Sequence, residues 1–439
     1  MPCSNPVLSA RARALALVLV GLALSGCGDD EEILAGERIP VRPSEATTTL
    51  ASLPPLVLPP PATVSDWTHR NAAPNHVAPH AALAGTLRLA WRADAGRGIS
   101  GRALLTASPI VADGRVYTLD AASEVRAFGT GGDRIWAQSL APEGEDGRDG
   151  YGGGLAYAGG TLYVTTGFGE VLALDGASGE IRWRTRVDAP VRSAPTVIGG
   201  RVFAVTRDDQ GFGLDARDGR VLWRVPGAAG QTGLLGGASP AADDIVAVLP
   251  FTSGEVTAVI AATGRRIWSA AITGGRRGLA RANIGDITGD PVIDGETIYA
   301  ANQSGRLVSI DRRTGARNWT ANDGSYNAVW PAGGSVFLLS DTAVLLRLDA
   351  ATGARLWAVQ LPEYDDPDDR EGAIGYGGPV LAGGRLILVS TEAEILSFNP
   401  ENGAELGRVD LPGGSYLPPA VADGRLYVMN VRGELLAFQ

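Results

Sequence analysis

Lysine is absent from the 439 residues: all 38 cationic side chains are arginine, set against 48 acids, for a formal net charge of −10. Arginine in place of every lysine is the mark of a GC-rich coding sequence and bears on solubility more than on chemistry. An acidic chain without a basic stripe has little with which to neutralise phosphates, so nucleic-acid binding is set aside. Cysteine is nearly as scarce. Cys3 and Cys27 are the only two, both near the N-terminus, so the rest of the chain has no disulfide, no cysteine-based metal site and no thiol nucleophile. The three histidines, His69, His76 and His80, fall in one stretch, which leaves none elsewhere for a Ser-His-Asp arrangement. What is abundant is glycine, at 60 residues, and proline, at 27, in a chain that is 45% hydrophobic and 20% charged. That balance supplies a core and favours many short strands joined by turns over long helices.

Long apolar runs are missing too. The run from Ala14 to Leu24 is too short to span a bilayer. Arg11 and Arg13 precede it and small residues follow, the order of an export signal over residues 1–26. Leu24-Ser25-Gly26-Cys27 resembles the lipobox of bacterial lipoproteins, which implies cleavage before Cys27 and lipidation of that cysteine. The other reading is an ordinary signal peptide with a chance cysteine. Several acyl chains on one residue anchor firmly, at ~0.8 kcal/mol per buried methylene. Loss of two arginines and no acid leaves the mature chain at about −12. Gly28 rather than an aspartate follows the cysteine, and the resemblance implies an outer-membrane anchor with the chain facing the periplasm. Residues 27–64 are acidic, then rich in Ser, Thr and Pro, and are expected to form a flexible, semi-extended tether, with the folded body over 65–439.

Self-similarity dominates the body. A Gly-x-x-x-Trp mark recurs as GDRIW ending at Trp136, GEIRW at Trp183, GRVLW at Trp223, GRRIW at Trp268, GARNW at Trp319 and GARLW at Trp357; in a seventh copy, GAELG, Gly407 stands where Trp is expected. Upstream of the marks lie tight-turn pairs: Asp113-Gly114, Gly159-Gly160, Gly199-Gly200, Asp294-Gly295, Gly333-Gly334, Gly383-Gly384 and Asp423-Gly424. A second turn joins runs such as RVYTL to EVRAF and RLYVM to ELLAF. Three turns imply four antiparallel strands per repeat, the blade of a β-propeller. Seven repeats are complete, and an eighth starts near Pro418 but stops at Gln439 without a fourth strand. The Trp-bearing run Leu87–Arg92 is the expected donor. The expectation is an all-β, eight-bladed propeller of four-stranded antiparallel blades, its ring closed by an N-terminal strand that completes the last blade and removes the open edges. Should the degenerate stretches 233–260 or 322–348 fail to form blades, the count falls to seven. The recurring Trp residues are explained by packing against the neighbouring blade.

The Gly-x-x-x-Trp mark with an Ala shortly before it, as in Ala177 to Trp183 and Ala351 to Trp357, resembles the repeat of quinoprotein-type propellers. Within them, a lipobox, a short tether and a bare eight-bladed ring resemble the BamB family, lipoproteins of the outer-membrane β-barrel assembly machinery. The resemblance implies a non-enzymatic, cofactor-free scaffold. Its partners would be the pore subunit of that machinery, BamA-like, and nascent outer-membrane proteins. Val191-Arg192-Ser193-Ala194-Pro195 is similar to the family's pore-contacting loop, with a shortened spacer after the arginine. Asp286-Ile287-Thr288-Gly289-Asp290-Pro291 is similar to its acidic segment, with Thr288 in place of a second acid. Val191, Arg192, Asp286 and Thr288 are therefore the expected partner-binding residues, although ordinary loop-to-strand chemistry explains both segments equally well. Arg is enriched at interface hot spots. Arg276, Arg277 and Arg281 form either a local positive patch or a solvated loop.

The competing classes are a quinone-dependent dehydrogenase and a scaffold of another envelope complex. The enzyme would need a catalytic acid, a calcium cage and aromatic faces around the quinone; relatives of that kind resemble one another in an adjacent Cys-Cys pair and long inter-blade insertions, both missing here. His69, His76 and His80 are numerous enough for zinc, but their Pro- and Asn-rich context predicts a surface loop packed on the first blade. The acidic runs Glu143–Asp149 and Asp365–Glu371 lack the EF-hand order and are expected to be solvated inter-blade loops.

Overall fold

The computed structural model describes residues 53–101, 103–191, 193–228, 230, 236–272, 274 and 284–439. Wherever β-branched and aromatic residues run between turn signals, they form strands, and these assemble into eight four-stranded antiparallel sheets. Blades 1 to 7 occupy residues 110–139, 154–186, 196–226, 241–271, 287–321, 330–360 and 376–410. Blade 8 is built from 420–438 and completed by Leu89–Asp94. That N-terminal strand pairs with Glu434–Phe438 from Leu89 opposite Phe438 to Asp94 opposite Glu434, so the expected closure is present. Both degenerate stretches form blades, and the count is eight. In blade 4 the glycine pair is replaced by Asp243-Asp244. There the Asp243 carboxylate caps the turn by accepting the Ile245 and Val246 amides, each at 2.9 Å.

The Gly-x-x-x-Trp mark is half of an interlock. Its glycine sits in the turn between the third and fourth strands at positive φ, for example +78° at Gly179 and +69° at Gly264. The Trp ring of the preceding blade lies directly over it: a Cβ on Gly179 would come within 2.6 Å of the Trp136 ring, and one on Gly264 within 2.7 Å of Trp223. Only glycine satisfies both the backbone and the close approach. The indole N–H then donates to a carbonyl of the same turn: Trp136 to Gly176, Trp183 to Ala216 and Trp223 to Ala261, each at 3.1 Å. Trp268, Trp319, Trp357 and Trp91 repeat this on Arg312, Ala350, Pro400 and Thr130. The series fails once. Gly407 faces blade 8, whose third and fourth strands are joined by no turn because one ends the chain and the other comes from its N-terminal side. With no turn to dock on, a Trp there has no partner.

The other departure lies before Leu89. Residues 62–84 do not form a loop on the first blade; they run inside the ring. Inner strands would otherwise leave backbone donors unpaired, and this segment satisfies them. Val64 O accepts from Asp423 of blade 8, Trp67 pairs with Val111 of blade 1, and Thr68 O accepts from Tyr157 of blade 2. Pro74 O, Asn75 O and Ala81 O accept from Ala242, Ile293 and Gly383 of blades 4, 5 and 7. Trp67 also stacks on Trp330 of blade 6, centroids 6.4 Å apart. The stretch Leu53 to Val64, at the end of the segment expected as tether, lies on the body as well: Leu53, Leu56, Leu58 and Val64 pack on the core. The buried Arg347 guanidinium donates to Pro54 O at 3.1 Å, Glu401 O at 3.0 Å and Ser335 Oγ at 2.9 Å.

Candidate functional site

Antiparallel blades sort their connections onto two faces. Turns between first and second strands share one face with the turns that receive the Trp rings, and residues 62–84 close the central channel at that end. The opposite face carries the second-to-third turns and all inter-blade connections, and there the channel opens as a funnel of about 730 Å³. Its walls come from connections around the ring. Among the described residues they include Leu105 from the entry to blade 1, Tyr326 before blade 6, Tyr364 before blade 7, Tyr376 at its first position, and Tyr416 before blade 8. The Tyr376 hydroxyl donates to Pro362 O and that of Tyr416 to Leu105 O. Burial pushes both phenols up to about 12, so they remain protonated donors. A volume of this size, mostly apolar with a few polar groups, is that of a ligand pocket.

Arg70 forms the floor. Its side chain is 11% exposed and its Nε lies 3.5 Å from Asp290 Oδ2, but that Nε has no hydrogen-bond partner. Below it remains a void of about 20 Å³, room for about one water. Asp290 has other work: its Oδ2 accepts from Asn71 at 2.6 Å and its Oδ1 from the Ser239 amide at 2.7 Å. Nothing in the sequence marks either residue as functional, although Asp290 lies within the acidic segment 286–291.

The sequence-predicted residues are placed as follows. Val191 is 1% exposed and belongs to the core between blades 2 and 3, with its amide donating to Thr166 O at 3.2 Å. Asp286 is fully buried and Thr288 is 3% exposed, its hydroxyl donating to Ser325 O at 2.7 Å. Thr288 thereby ties its segment to the connection before blade 6 and also lines the funnel. Arg192, Cys27, the export signal and the Arg276, Arg277, Arg281 group lie outside the described residues.

The histidines do not gather. His69 Nε2 accepts the Val197 amide at 3.1 Å while Nδ1 faces Thr68 Oγ1 at 2.9 Å. His76 Nδ1 faces Pro291 O at 2.7 Å. His80 bridges the Gly384 amide at 2.9 Å and Pro59 O at 2.7 Å. Each ring pins the inner segment to a different neighbour. Burial first, then the neighbouring His76, lowers His69 to about 3; burial also lowers His76, against the pull of Asp290. Both are neutral links, buried where a surface loop was expected. Among the described residues no three His, Cys, Asp or Glu side chains converge on a metal position. Residues 143–149 form an exposed connection in which Asp146 pairs with Arg148, and 364–373 form a projecting hairpin of Tyr364–Asp366 with Glu371–Ala373.

Comparison with known proteins accords with this architecture. The family model for outer membrane protein assembly factor BamB matches residues 121–359 and 342–439. Outer membrane protein assembly factor BamB of Shewanella oneidensis is 26% identical over 260 residues, 58% of this chain and 66% of that protein. The Escherichia coli K12 counterpart is 27% identical over 259 residues, 57% and 64%, and that of Moranella endobia 28% over 189 residues, 43% and 48%. The chain thus aligns with about half to two thirds of these relatives' length. In three dimensions it resembles BamB from Moraxella catarrhalis, with a TM-score of 0.67 at 20% identity over 81% of this chain and all of that one. It equally resembles quinohemoprotein alcohol dehydrogenase from Comamonas testosteroni, with a TM-score of 0.67 at 16% identity over 86% and 81%; at such identities the likeness is one of fold. With most of its blades matched by the family model, this eight-bladed propeller belongs to the BamB family of outer membrane protein assembly factors.

Proposed function

We propose that the chain is a non-enzymatic, periplasm-facing scaffold lipoprotein of the outer-membrane β-barrel assembly complex, anchored by lipid on Cys27. It assists folding and insertion of outer-membrane proteins by binding the pore subunit. The observation that carries this reading is the family match running through the blades from residue 121 to 439. Connections on a rigid ring offer an adaptable binding surface without moving the frame. Because Val191, Asp286 and Thr288 are buried, their part is to hold the two segments in shape, and the contact itself falls to Arg192 beside the exposed Pro190. The likeness to a quinohemoprotein dehydrogenase favours a second reading as a quinone-dependent enzyme, but no three-acid cage is assembled among the described residues. Affinity purification from detergent-solubilised membranes tests the proposal. The pore subunit is expected to co-purify with the wild type, and Arg192→Glu to reduce its yield about tenfold with thermal unfolding unchanged. Absence of the pore overturns the assembly reading; a different envelope complex among the partners, or substrate-dependent dye reduction, would replace it.

A further inference from the structure

The funnel is a dead end. Residues 62–84 bond to inner strands around the ring, and beneath Arg70 the described residues leave a small void. A polypeptide that enters must therefore end there or turn back. The walls are tyrosine-rich and carry Asp341 and Glu363 among apolar side chains, whereas the floor presents one guanidinium, nearly nine-tenths buried, whose Nε makes no hydrogen bond. Buried Asp290 is its ion-pair partner but takes no hydrogen bond from that Nε. At 3.5 Å the contact is long, and both carboxylate oxygens already accept shorter hydrogen bonds from Asn71 and Ser239. A buried guanidinium whose Nε–H makes no hydrogen bond can accept a further planar, two-oxygen partner. Asp341, also on the wall, accepts the Gly324 amide at 3.1 Å.

We infer that the funnel captures the carboxyl end of an unfolded polypeptide whose last residues are apolar, with the terminal carboxylate on Arg70 and the preceding side chains against Leu105, Tyr326, Tyr364, Tyr376 and Tyr416. The mouth suits an extended chain. The 364–373 hairpin stands beside it as a two-stranded sheet, so among the described residues each strand keeps an unpaired edge to which a third strand can add. Asp365, Asp366, Asp368, Asp369 and Glu371 on this hairpin disfavour acidic residues upstream of the terminus. The inference rests on the assembly reading for the owner of that terminus, a client protein, and on the funnel alone for its chemistry.

The test uses the full chain in detergent and a fluorescent peptide, Gly-Ser-Gly-Leu-Val-Leu, as the free acid and as the C-terminal amide. The acid is expected to bind about tenfold more tightly than the amide, the value of one charge-assisted contact. Arg70→Gln is expected to bring the two within about twofold, and Tyr326→Ser to weaken both together. Equal binding of acid and amide to the wild type overturns the inference whatever the variants do, and so does an acid preference that survives Arg70→Gln. If 3-phenylpropanoate displaces the peptide as well as the unlabelled peptide does, the site belongs to a small carboxylate and the inference fails. Loss of pore co-purification with intact acid preference would instead fault only the assembly reading.

Discussion

Gly264→Ala isolates the blade interlock. The φ of +69° at Gly264 costs an alanine about 1 to 2 kcal/mol, offset by about 0.4 to 1 kcal/mol of lost freedom in the unfolded chain. Gly200, in the blade 3 hairpin, has a similar φ of +71° with nothing within 4 Å of its would-be Cβ, so Gly200→Ala carries the backbone cost alone. At Gly264 the new methyl also meets the Trp223 ring at 2.7 Å. Either the indole moves, losing its 3.1 Å bond to Ala261 O, or the blades part. Overpacking of that kind costs about 1 to 3 kcal/mol, and a lost buried hydrogen bond about 1 kcal/mol more. The excess over Gly200→Ala is therefore about 2 to 4 kcal/mol, or about 2 to 6 °C in melting temperature for a unit of this size. Circular dichroism melts of both variants, scanned at one rate, measure the difference. Equal losses at the two positions would refute the interlock and reduce the Gly-x-x-x-Trp mark to a turn signal.

Two more expectations concern the inner segment. An unfolded chain protonates His69 near 6.5, whereas the folded protein resists down to about 3. The stability that depends on its neutral ring is therefore complete above about pH 6.5 and falls by about 1.4 kcal/mol per unit as pH drops toward 3. His69→Gln should be less stable at pH 7.5 yet show a shallower loss between pH 6 and 4 in urea titrations; parallel pH profiles would count against the assignment. Arg347→Met leaves Pro54 O and Glu401 O without their donor, at about 1 to 3 kcal/mol, and should speed subtilisin cleavage near residue 54. An unchanged digestion rate would show that the segment is held by other means.

The ring was legible because its turns are chemically demanding. Asp113-Gly114 and Gly199-Gly200 place both residues at positive φ, a conformation that narrows the choice of residue and so marks the sequence. The closing strand was readable from Trp91 and from the missing strand of blade 8. The inner segment was not, because it has neither a period of two nor of 3.6; its bonds pass from blade to blade around the ring. Its one clue was that every histidine, and a Trp outside the repeat, fell in a stretch expected to be solvated. The buried state of Asp286 and Thr288 was equally hidden. An acid entering a strand looks the same in sequence whether it faces a partner or, like Asp290, organises the interior.

The missing interlock at Gly407 has a physical compensation that links closure to the inner segment. At the other seven junctions, Trp91 included, a Trp grips a turn of the next blade; between blades 7 and 8 no such turn exists. Next to it, the N-terminal segment binds the first hairpin of blade 7. Gly383 donates to Ala81 O, the Gly384 amide is held by His80, and Arg385 reaches Ala84 O. Arg88 and Gln439 then exchange backbone hydrogen bonds at 2.8 and 3.0 Å, just beyond the closing strand pair. Both chain-end segments thus serve the junction that cannot use the repeat's own device. Closure, its reinforcement and the seal of the channel occupy one face, which leaves the inter-blade connections and the funnel on the other free to vary for binding without loosening the ring.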